Sequence, residues 1–341
     1  MASKYQIRAD NEVLADLTHA EYAYYNGKLK KGINIAGSLA FSLMPNNPVI
    51  NSVKPLKSTI TLRRHGKTIW AGRVVKSKKN IYNQYDITCE GALSWLYDVV
   101  IPPIGFTDAE TSNIITSLIN SYNGLCSPNR VFEIGVIEGE DIITLPKQNG
   151  YAKVFDLLSN IIKINGGFFD LDYRQDGTPI LNYYKGGIPT AKEVRFGENL
   201  LDINEHIDTT KIITALYATG EGVSLPSPAY IENEKAVESY GRIFGSIHFD
   251  NIANQESLIN QANVYLQQNM LGDVSLKIKA VSVDWEAQEG EIVRIISKPN
   301  GVDTNMIISE VVTDINNESS GYFTTGSSTK TLTKSIVLNS K

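Results

Sequence analysis

The stretch that decides the fold is STITLRRHGKTIWAGRVVKSKKNIYNQYDITCEGALSWLYDVVIPP, residues 58–103. Three runs in it alternate apolar with polar residues, which is the pattern of strands that bury one face. Residues 65–67 form a tight hairpin turn between the first two runs, and the polar segment 76–83 separates the second from the third. Residues 89–95 then lead into a short helical turn before Pro102. The stretch therefore predicts a β-meander that closes with a helical turn and carries no catalytic constellation.

Length and composition are those of an ordinary globular protein. The chain has 341 residues, of which 42% are hydrophobic and 20% charged, so two or three domains are expected. A net charge of -5 argues against sequence-independent binding of nucleic acid, which needs a basic surplus. No apolar run reaches the length of about 18 residues that suits a membrane-spanning helix, and the polar N-terminus lacks a signal sequence. We expect no membrane anchor and no export by the general route.

Hydrophobic periodicity divides the rest of the chain. Residues 4–101 read as strands, 104–200 as a mixture of helices and strands, and 201–315 as strands with one helix. Residues 316–341 form a polar tail, read as an ordered extension or a partner-dependent arm. A capping box at 107–110 predicts the start of the first helix. Its apolar face is Ile114, Ile115, Leu118, Ile119 and Tyr122, and it ends at Asn123 and Gly124.

Further elements follow from the same patterns. A second helix is predicted from about Tyr151 to the glycines at 166–167, with a face formed by Val154, Leu157, Leu158, Ile161 and Ile162. The turn Asp176–Gly177 predicts a hairpin of strands 168–173 and 179–184. A further helix is predicted to be capped by Asn254, with one face formed by Leu258, Ile259, Ala262, Tyr265 and Leu266. Strands at 274–280, 292–296 and 306–312 follow it.

Motifs for phosphate and calcium binding fail on spacing. Residues 66–68, Gly-Lys-Thr, end like a P-loop, but the position that needs the first glycine is Thr61, and the tripeptide lies in a hairpin turn. Asp170, Asp172 and Asp176 suggest a calcium loop. The fifth and sixth positions of that motif need Asp or Asn and then Gly, but here they are Arg174 and Gln175. We interpret Asp170 and Asp172 as the solvent face of a strand.

Catalytic groups are equally sparse. The cysteines Cys89 and Cys126 lie far apart and are expected to be buried thiols, Cys89 on the inner face of a strand. The histidines show no metal-ligand spacing; they are His19, His65, His206 and His248. The acidic cluster at 138–141 is read as a solvated turn. The sequence predicts no catalytic, cofactor-binding or metal-ligating residues and no cofactor.

Basic residues are concentrated in the first domain. They are Lys54, Lys57, Arg63, Arg64, Lys67, Arg73, Lys76, Lys78 and Lys79. With the aromatic residues nearby, they could form a face that binds single-stranded nucleic acid. The acidic balance of the chain favours a solvated, charged sheet edge, which discourages stray strand pairing. The tryptophans Trp70, Trp95 and Trp285 are the largest stacking surfaces available, and all three fit core positions.

Several segments together resemble the tail-hub proteins of tailed bacteriophages and prophages, a family often labelled tail endopeptidase. The segments are LAFSLMPNNP at 39–48, STITLRR at 58–64, GKTIWAGR at 66–73, YDITCEGALSWLYD at 85–98, ITALYATG at 213–220, ANVYL at 262–266 and VSLKIKAVS at 274–282. They are distributed over most of residues 1–315. The match is one of pattern and includes no catalytic residue.

The resemblance implies a mainly β fold with an α+β insertion: two β-barrel-like domains of the phage baseplate hub type plus an inserted α/β domain. Residues 1–101 with 195–220 would form the first barrel, and 102–194 the insertion. Residues 221–315 would form the second barrel, and 316–341 a C-terminal extension.

The resemblance also implies a role in the virion. Such a protein forms a homotrimeric ring at the tail tip or baseplate, assembled in the bacterial host cytoplasm. Its expected partners are the distal tail or tail tube protein, the tape measure protein and a tail fibre or spike at the distal face, with DNA only in transit. The endopeptidase label is not carried over, because the residues supply no nucleophile or metal set. Two alternatives stay open: a tail-associated cell-wall peptidase or lysin, and a receptor- or carbohydrate-binding tail adhesin.

Overall fold

The computed structural model describes residues 4–210, 212–220, 228–249, 255–270, 273–280, 286–317 and 321–326. The chain divides into two compact units. The first comprises Met1–Ile203 with Lys277–Lys341, and the second is Asn204–Leu276. Among the described residues, no helix is long and apolar enough to cross a membrane.

The N-terminal part of the first unit is built from strands. They are β1 (Tyr5–Ala9), β2 (Glu12–Ala15), β3 (Tyr24–Gly32), β4 (Ser38–Leu43), β5 (Thr59–Arg64), β6 (Lys67–Lys79), β7 (Tyr85–Gly91) and β8 (Val100–Ile101). The first seven lie in one sheet in the order β3-β4-β7-β6-β5-β1-β2, with antiparallel neighbours. The predicted meander β5-β6-β7 is therefore confirmed.

The two turns of the meander differ in how well the sequence predicted them. His65 and Gly66 have φ angles of 47° and 80°, as a two-residue type I′ hairpin requires, so the first turn is confirmed. The second turn is shorter than predicted. Strand β6 continues to Lys79, which pairs with Tyr85, because the lysines at the end of β6 stay hydrogen-bonded to β7.

The insertion follows β8 and mixes helices with strands. Its elements are β9 (Phe106–Glu110), α1 (Thr111–Asn123), β10 (Glu133–Ile137), β11 (Ile142–Leu145), β12 (Ala152–Lys153), α2 (Val154–Asn165), β13 (Phe168–Tyr173) and β14 (Pro179–Tyr184). The hairpin of β13 and β14 has the predicted bounds, and Gly177 at its turn has a φ of 95°. Both helices bury the predicted apolar faces and end at the predicted glycines.

The predicted capping box at 107–110 is wrong. Those residues lie in β9, where Ala109 and Glu110 pair with Ile143 and Ile142 of β11. Helix α1 begins at Thr111 instead, and its first backbone N–H donates to the carbonyl oxygen of Asp141. A partner distant in sequence thus replaces the local side-chain cap.

The rest of the chain contains the elements of the second unit and the strands that complete the sheet of the first. The elements are β15 (Glu193–Arg195), β16 (Leu200–Asp208), β17 (Ala215–Gly220), β18 (Ala229–Glu232), α3 (Glu234–Tyr240), β19 (Phe244–Phe249), α4 (Gln255–Asn269), β20 (Asp273–Ala280), β21 (Ile292–Ser297), β22 (Val302–Asp314) and β23 (Tyr322–Gly326). Strand β22 pairs with β3, β21 and β23, so the C-terminal strands extend the N-terminal sheet.

The second unit is a small sheet covered by a helix. Strand β17 pairs antiparallel with β18 and parallel with β19. Residues Leu216 and Ala218 of β17 pack against Leu258, Ala262 and Leu266 of α4. The predicted apolar face of this helix is therefore largely confirmed, while its predicted cap, Asn254, lies outside the described residues.

The compact units differ from the predicted domain limits. The second unit ends at Leu276, whereas the predicted second barrel extends from 221 to 315. The difference arises because β21 and β22 pair into the sheet of the first unit. The division into two barrels and an insertion stays a prediction. In the predicted extension 316–341, residues 322–326 form β23, and 327–341 lie outside the described residues.

Hydrogen bonds dock the insertion onto the sheet. The buried Asn34, just after β3, donates from Nδ2 to the carbonyl oxygen of Gly167 and accepts at Oδ1 from the N–H of Phe169. At the far end of β13, the carbonyl oxygen of Gln175 accepts from Thr68 Oγ1 and Arg63 Nη2. The insertion has an apolar cluster around α1 and α2, and the sheet has a second one of its own.

A glycine at the end of the meander tests this packing. A Cβ at Gly91 would lie 1.8 Å from the carbonyl oxygen of Ala36, whereas a Cβ at Gly150 would meet nothing within 4 Å. We expect Gly91→Ala to cost about 3 kcal/mol or more, because a backbone atom must move. Gly150→Ala should stay within about 1 kcal/mol of the parent protein. Urea unfolding measures both, and equal stabilities would contradict the packing described.

Candidate functional site

The most buried charges of the meander meet at Arg73 in β6. Its Nε donates to Glu90 Oε1 at 2.8 Å, and its Nη2 donates to Asp98 Oδ1 at 3.1 Å. Arg73 is 5% exposed and Glu90 1%. Burial lowers the pKa of Arg73, but the hydrogen bonds to Asp98 and Glu90 outweigh it and leave the pKa raised. The prediction that Arg73 belongs to a solvated edge is wrong, because it lies opposite Glu90 in the β6–β7 pairing.

A second arginine extends this cluster into the insertion. The guanidinium of Arg130 lies 4.2 Å from the ring centroid of Trp95. Its Nη2 donates to the carbonyl oxygens of Leu56 and Lys57, each at 3.0 Å. Burial, followed by the charge of Arg73, lowers the pKa of Arg130. Both arginines therefore have a structural role: they hold the segments around the helical turn Ala92–Tyr97 together.

The cysteines lack the environment of a nucleophile. Cys89 is buried in the sheet core, as predicted, and burial followed by the charge of Glu90 raises the pKa of its thiol. Cys126 is half-buried, which is less than predicted, and burial raises its pKa as well. A reactive cysteine needs the thiolate form, which both sites disfavour.

The histidines are dispersed. His19 Nδ1 lies 2.9 Å from Thr18 Oγ1, and His65 occupies the first meander turn. His248 Nδ1 lies 2.9 Å from Thr219 Oγ1 in the second unit, and the side chain of His206 lies outside the described residues. Within the described ranges, no group of three or more His, Cys, Asp or Glu could hold a metal ion.

The acidic cluster at 138–141 supports the insertion. Asp141 Oδ2 lies 3.0 Å from Lys185 Nζ, and the hydrogen bond from that lysine is the main reason why the pKa of Asp141 is lowered. Its backbone carbonyl oxygen caps α1 through the N–H and Oγ1 of Thr111. The segment is thus a charged turn with a capping role.

The aspartates of β13 and its turn have separate environments. Asp176 Oδ1 accepts from the N–H of Thr178, a local turn contact, and Asp172 is exposed and accepts from Asn182 Nδ2. The prediction of a solvent face holds for Asp172 but is wrong for Asp170, which is half-buried beside Lys31.

An exposed aromatic cluster lies on the second unit. Tyr217 of β17 lies between Tyr230 of β18, at a centroid distance of 5.2 Å, and Phe244 of β19, at 5.8 Å and with an interplanar angle of 10°. The three side chains are 44%, 45% and 55% exposed, and we call them the aromatic face. Helix α4 packs on Leu216 and Ala218, which flank Tyr217 in β17 and point to the other side of the sheet.

Polar groups border the aromatic face. The hydroxyl of Tyr230 donates to Glu232, which also accepts from Arg242 Nε at 3.0 Å. Sequence reasoning missed this surface because it considered only tryptophans as stacking platforms. The signal that was available is the alternation of Leu216, Tyr217 and Ala218, which directs the tyrosine away from the apolar partners of its neighbours. Trp70 and Trp95 are buried, as predicted, and Trp285 lies outside the described residues.

A mainly β fold with an α+β insertion, held by internal charge pairs, defines the class of this protein: its fold is that of prophage tail proteins. Solved structures that share it include three tail proteins. A prophage tail protein, gp18, from Listeria monocytogenes EGD-e matches with a TM-score of 0.61 at 16% identity, covering 95% of this chain and 94% of that one. The tail protein from Neisseria meningitidis MC58 has a TM-score of 0.68 at 12% identity, with 96% and 97% covered.

The third structure is the 43 kDa tail protein of prophage MuSo2 from Shewanella oneidensis. It has a TM-score of 0.65 at 11% identity, with 95% of this chain and 97% of that one covered. Residues 188–336, a little under half of the chain, match the model of the family described as prophage endopeptidase tail. No curated protein matches the chain in sequence. The resemblance to prophage tail proteins and the predicted fold class are thereby confirmed.

The charge cluster in the meander generates a direct test. In Arg73→Met the carboxylates of Glu90 and Asp98 lose a buried partner, which should cost about 3–5 kcal/mol in the free energy of unfolding. Arg174→Met breaks an exposed pair with Glu133 and should leave stability nearly unchanged, since water screens that pair. Chemical denaturation at neutral pH compares the two. A smaller loss for Arg73→Met than for Arg174→Met would contradict the structural role of the cluster.

Proposed function

We propose that this protein is a structural component of a phage tail, the hub of the tail tip or baseplate. The observation that carries the proposal is the match in fold to three prophage tail proteins over nearly the whole length of each chain. The match to the prophage tail family over residues 188–336 supports the same role. In this role the chain belongs to the virion and is assembled in the cytoplasm of a bacterial host.

The hub functions as a homotrimeric ring that joins the tail tube to the tip. Its partners are the distal tail or tube protein, the tape measure protein and a fibre or spike at the distal face. The tape measure and DNA pass through the ring without being retained, and a net charge of -5 suits such a conduit because it does not attract phosphates.

The aromatic face is our candidate for a contact between copies of the chain in the ring. Exposed clusters of Tyr and Phe are typical of the cores of protein interfaces. A ring needs a heterologous contact, in which this face of one copy meets a different surface of the next.

We propose no enzymatic activity, although the matching family bears the word endopeptidase. Burial raises the pKa of both cysteine thiols, so neither is prepared as a nucleophile. In the acidic cluster at 138–141, the carboxylate of Asp141 pairs with Lys185, and its backbone carbonyl oxygen caps α1. These observations favour a structural part over a tail-associated peptidase or lysin.

One observation favours a second candidate, a carbohydrate-binding tail adhesin. Tyr217 and Phe244 stack on an open sheet face beside the polar groups of Glu232 and His248. Exposed aromatic rings next to hydrogen-bonding groups can bind sugar rings. Binding to a glycan array that is lost in Tyr217→Ser would support this alternative.

Assembly can be measured with the full chain. We expect native mass spectrometry to find three copies of the 37.6 kDa chain, and negative-stain images to show rings. Phe244→Asp places a charge in the aromatic face and should reduce the trimer at least about tenfold, since a buried unpaired charge is costly. Leu125→Asp, at another exposed apolar position, is the control and should leave the trimer intact. A monomer for the parent chain, or equal loss in both variants, would argue against this contact.

Cell-wall hydrolysis can be tested separately. A zymogram on Gram-positive and Gram-negative cell walls should show no clearing at the position of this chain, with a muralytic lysozyme as positive control. The reason is that neither thiol is activated in the folded structure. A clearing band would replace the structural proposal with the lysin, and its loss in Cys126→Ser would assign the nucleophile.

A further inference from the structure

Two carboxylates, one buried and one half-buried, lie near one ammonium group where the insertion docks on the sheet. Lys31 of β3 places its Nζ 2.6 Å from Glu289 Oε1. Asp170 of β13 interacts electrostatically with both of these groups. All three residues line one small cavity, together with Trp70 and Tyr173. One positive and two negative groups therefore leave this cavity with an uncompensated negative charge.

Glu289 is the least exposed of the three residues, at 6%, and one of its carboxylate oxygens lacks a hydrogen bond. Its Oε2 is buried and has no hydrogen-bond partner among the described residues. A buried carboxylate oxygen without a partner is costly, and a proton donor beside it removes that cost. The cavity measures about 20 Å³, which is room for no more than a water molecule.

We propose that this cavity is a proton-binding site, in which Asp170, beside Glu289 and Lys31, takes up one proton and thereby couples the docking of the insertion to pH. The proton comes from solvent and forms an O–H bond on the Asp170 carboxylate. The cluster changes from a net charge of minus one to neutral, and Lys31 stays charged. This inference goes beyond the proposed function and does not depend on it.

The titration of Asp170 agrees with this geometry. Burial, followed by the charge of Glu289, raises its pKa from 3.8 to about 7, although Lys31 acts in the opposite direction. The other groups that face it are Asp172 and Tyr173 on its own strand and Tyr184 on β14. Burial lowers the pKa of Lys31, but the charges of Glu289, Asp170 and Asp172 and the hydrogen bond to Glu289 together outweigh that effect and leave the pKa raised, so the ammonium persists.

Protonation of Asp170 stabilises the folded state more at low pH than at high pH. Because the folded state binds this proton more tightly than the unfolded chain, its contribution to stability is fully present below about pH 4 and is lost as the pH rises through about 7. Docking of β13 onto β3 is therefore tighter at pH 5 than at pH 8, and unfolding at pH 6 releases the proton.

Thermal unfolding of the full chain between pH 5 and pH 8 tests the site. Asp170→Asn should raise the unfolding midpoint at pH 8 by about 2–4 °C relative to the parent chain and leave it unchanged at pH 5. Asp172→Asn, on the same strand but exposed, is the matched control; because the charge of Asp172 raises the pKa of Asp170 less than burial or Glu289 does, this variant should change the pH profile much less than Asp170→Asn. Parallel pH profiles for the parent and Asp170→Asn would overturn the proposal.

Counting the protons released on unfolding is a second test, and it begins with the parent chain alone. Calorimetry of the parent chain at pH 6 in buffers of different ionisation enthalpy should find about one proton released on unfolding from this site. Glu289→Gln, and Asp170→Asn where it folds, should release about one proton fewer than the parent. A midpoint at pH 8 that rises with added Na⁺ or Ca²⁺ in the parent but not in Asp170→Asn would overturn the proposal in favour of a cation site.

Discussion

A guanidinium enclosed between carboxylates holds the meander at its closed end. Arg73 joins β6 to Glu90 of β7 and to Asp98, which follows the helical turn that closes the meander. A buried charge needs its partners in place, so this contact determines where the helical turn can lie. The helical turn places Trp95 under the guanidinium of Arg130. Arg130 also donates to the loop before β5, so it holds the start of the insertion against that loop.

The insertion and the sheet have largely distinct apolar clusters and are also joined by polar contacts. Side chains of the helical turn, such as Leu93 and Trp95, belong to the apolar cluster of α1 and α2, whereas Trp70 and Cys89 belong to that of the sheet. The helical turn that closes the meander thus also supplies side chains to the core of the insertion. Contacts such as those of Asn34 with Gly167 and Phe169 make the junction directional.

The sequence patterns correctly predicted the elements that depend on interactions between residues close in sequence. The hairpin of β13 and β14 and the apolar face of α1 depend on residues close in sequence, and both were predicted correctly. The strand at 106–110 was missed because its partner, β11, lies some thirty residues further on. The same limit applies to the charges: nothing near Asp170 in sequence indicates that Lys31 and Glu289 lie beside it. The aromatic face combines three strands, so no single segment displays it.

A polar junction has a consequence for a protein whose role is geometric. Apolar contacts allow small rotations at little cost, whereas buried hydrogen bonds and ion pairs are lost when the geometry changes. In the homotrimeric ring that we propose, an error in the angle between insertion and sheet would be repeated in every copy. The contacts of Asn34, Arg130 and Gln175 therefore restrict that angle more strictly than a larger apolar contact would. The proton-binding cavity lies in the same junction, so the charge state of Asp170 adjusts a contact on which the shape of each copy depends.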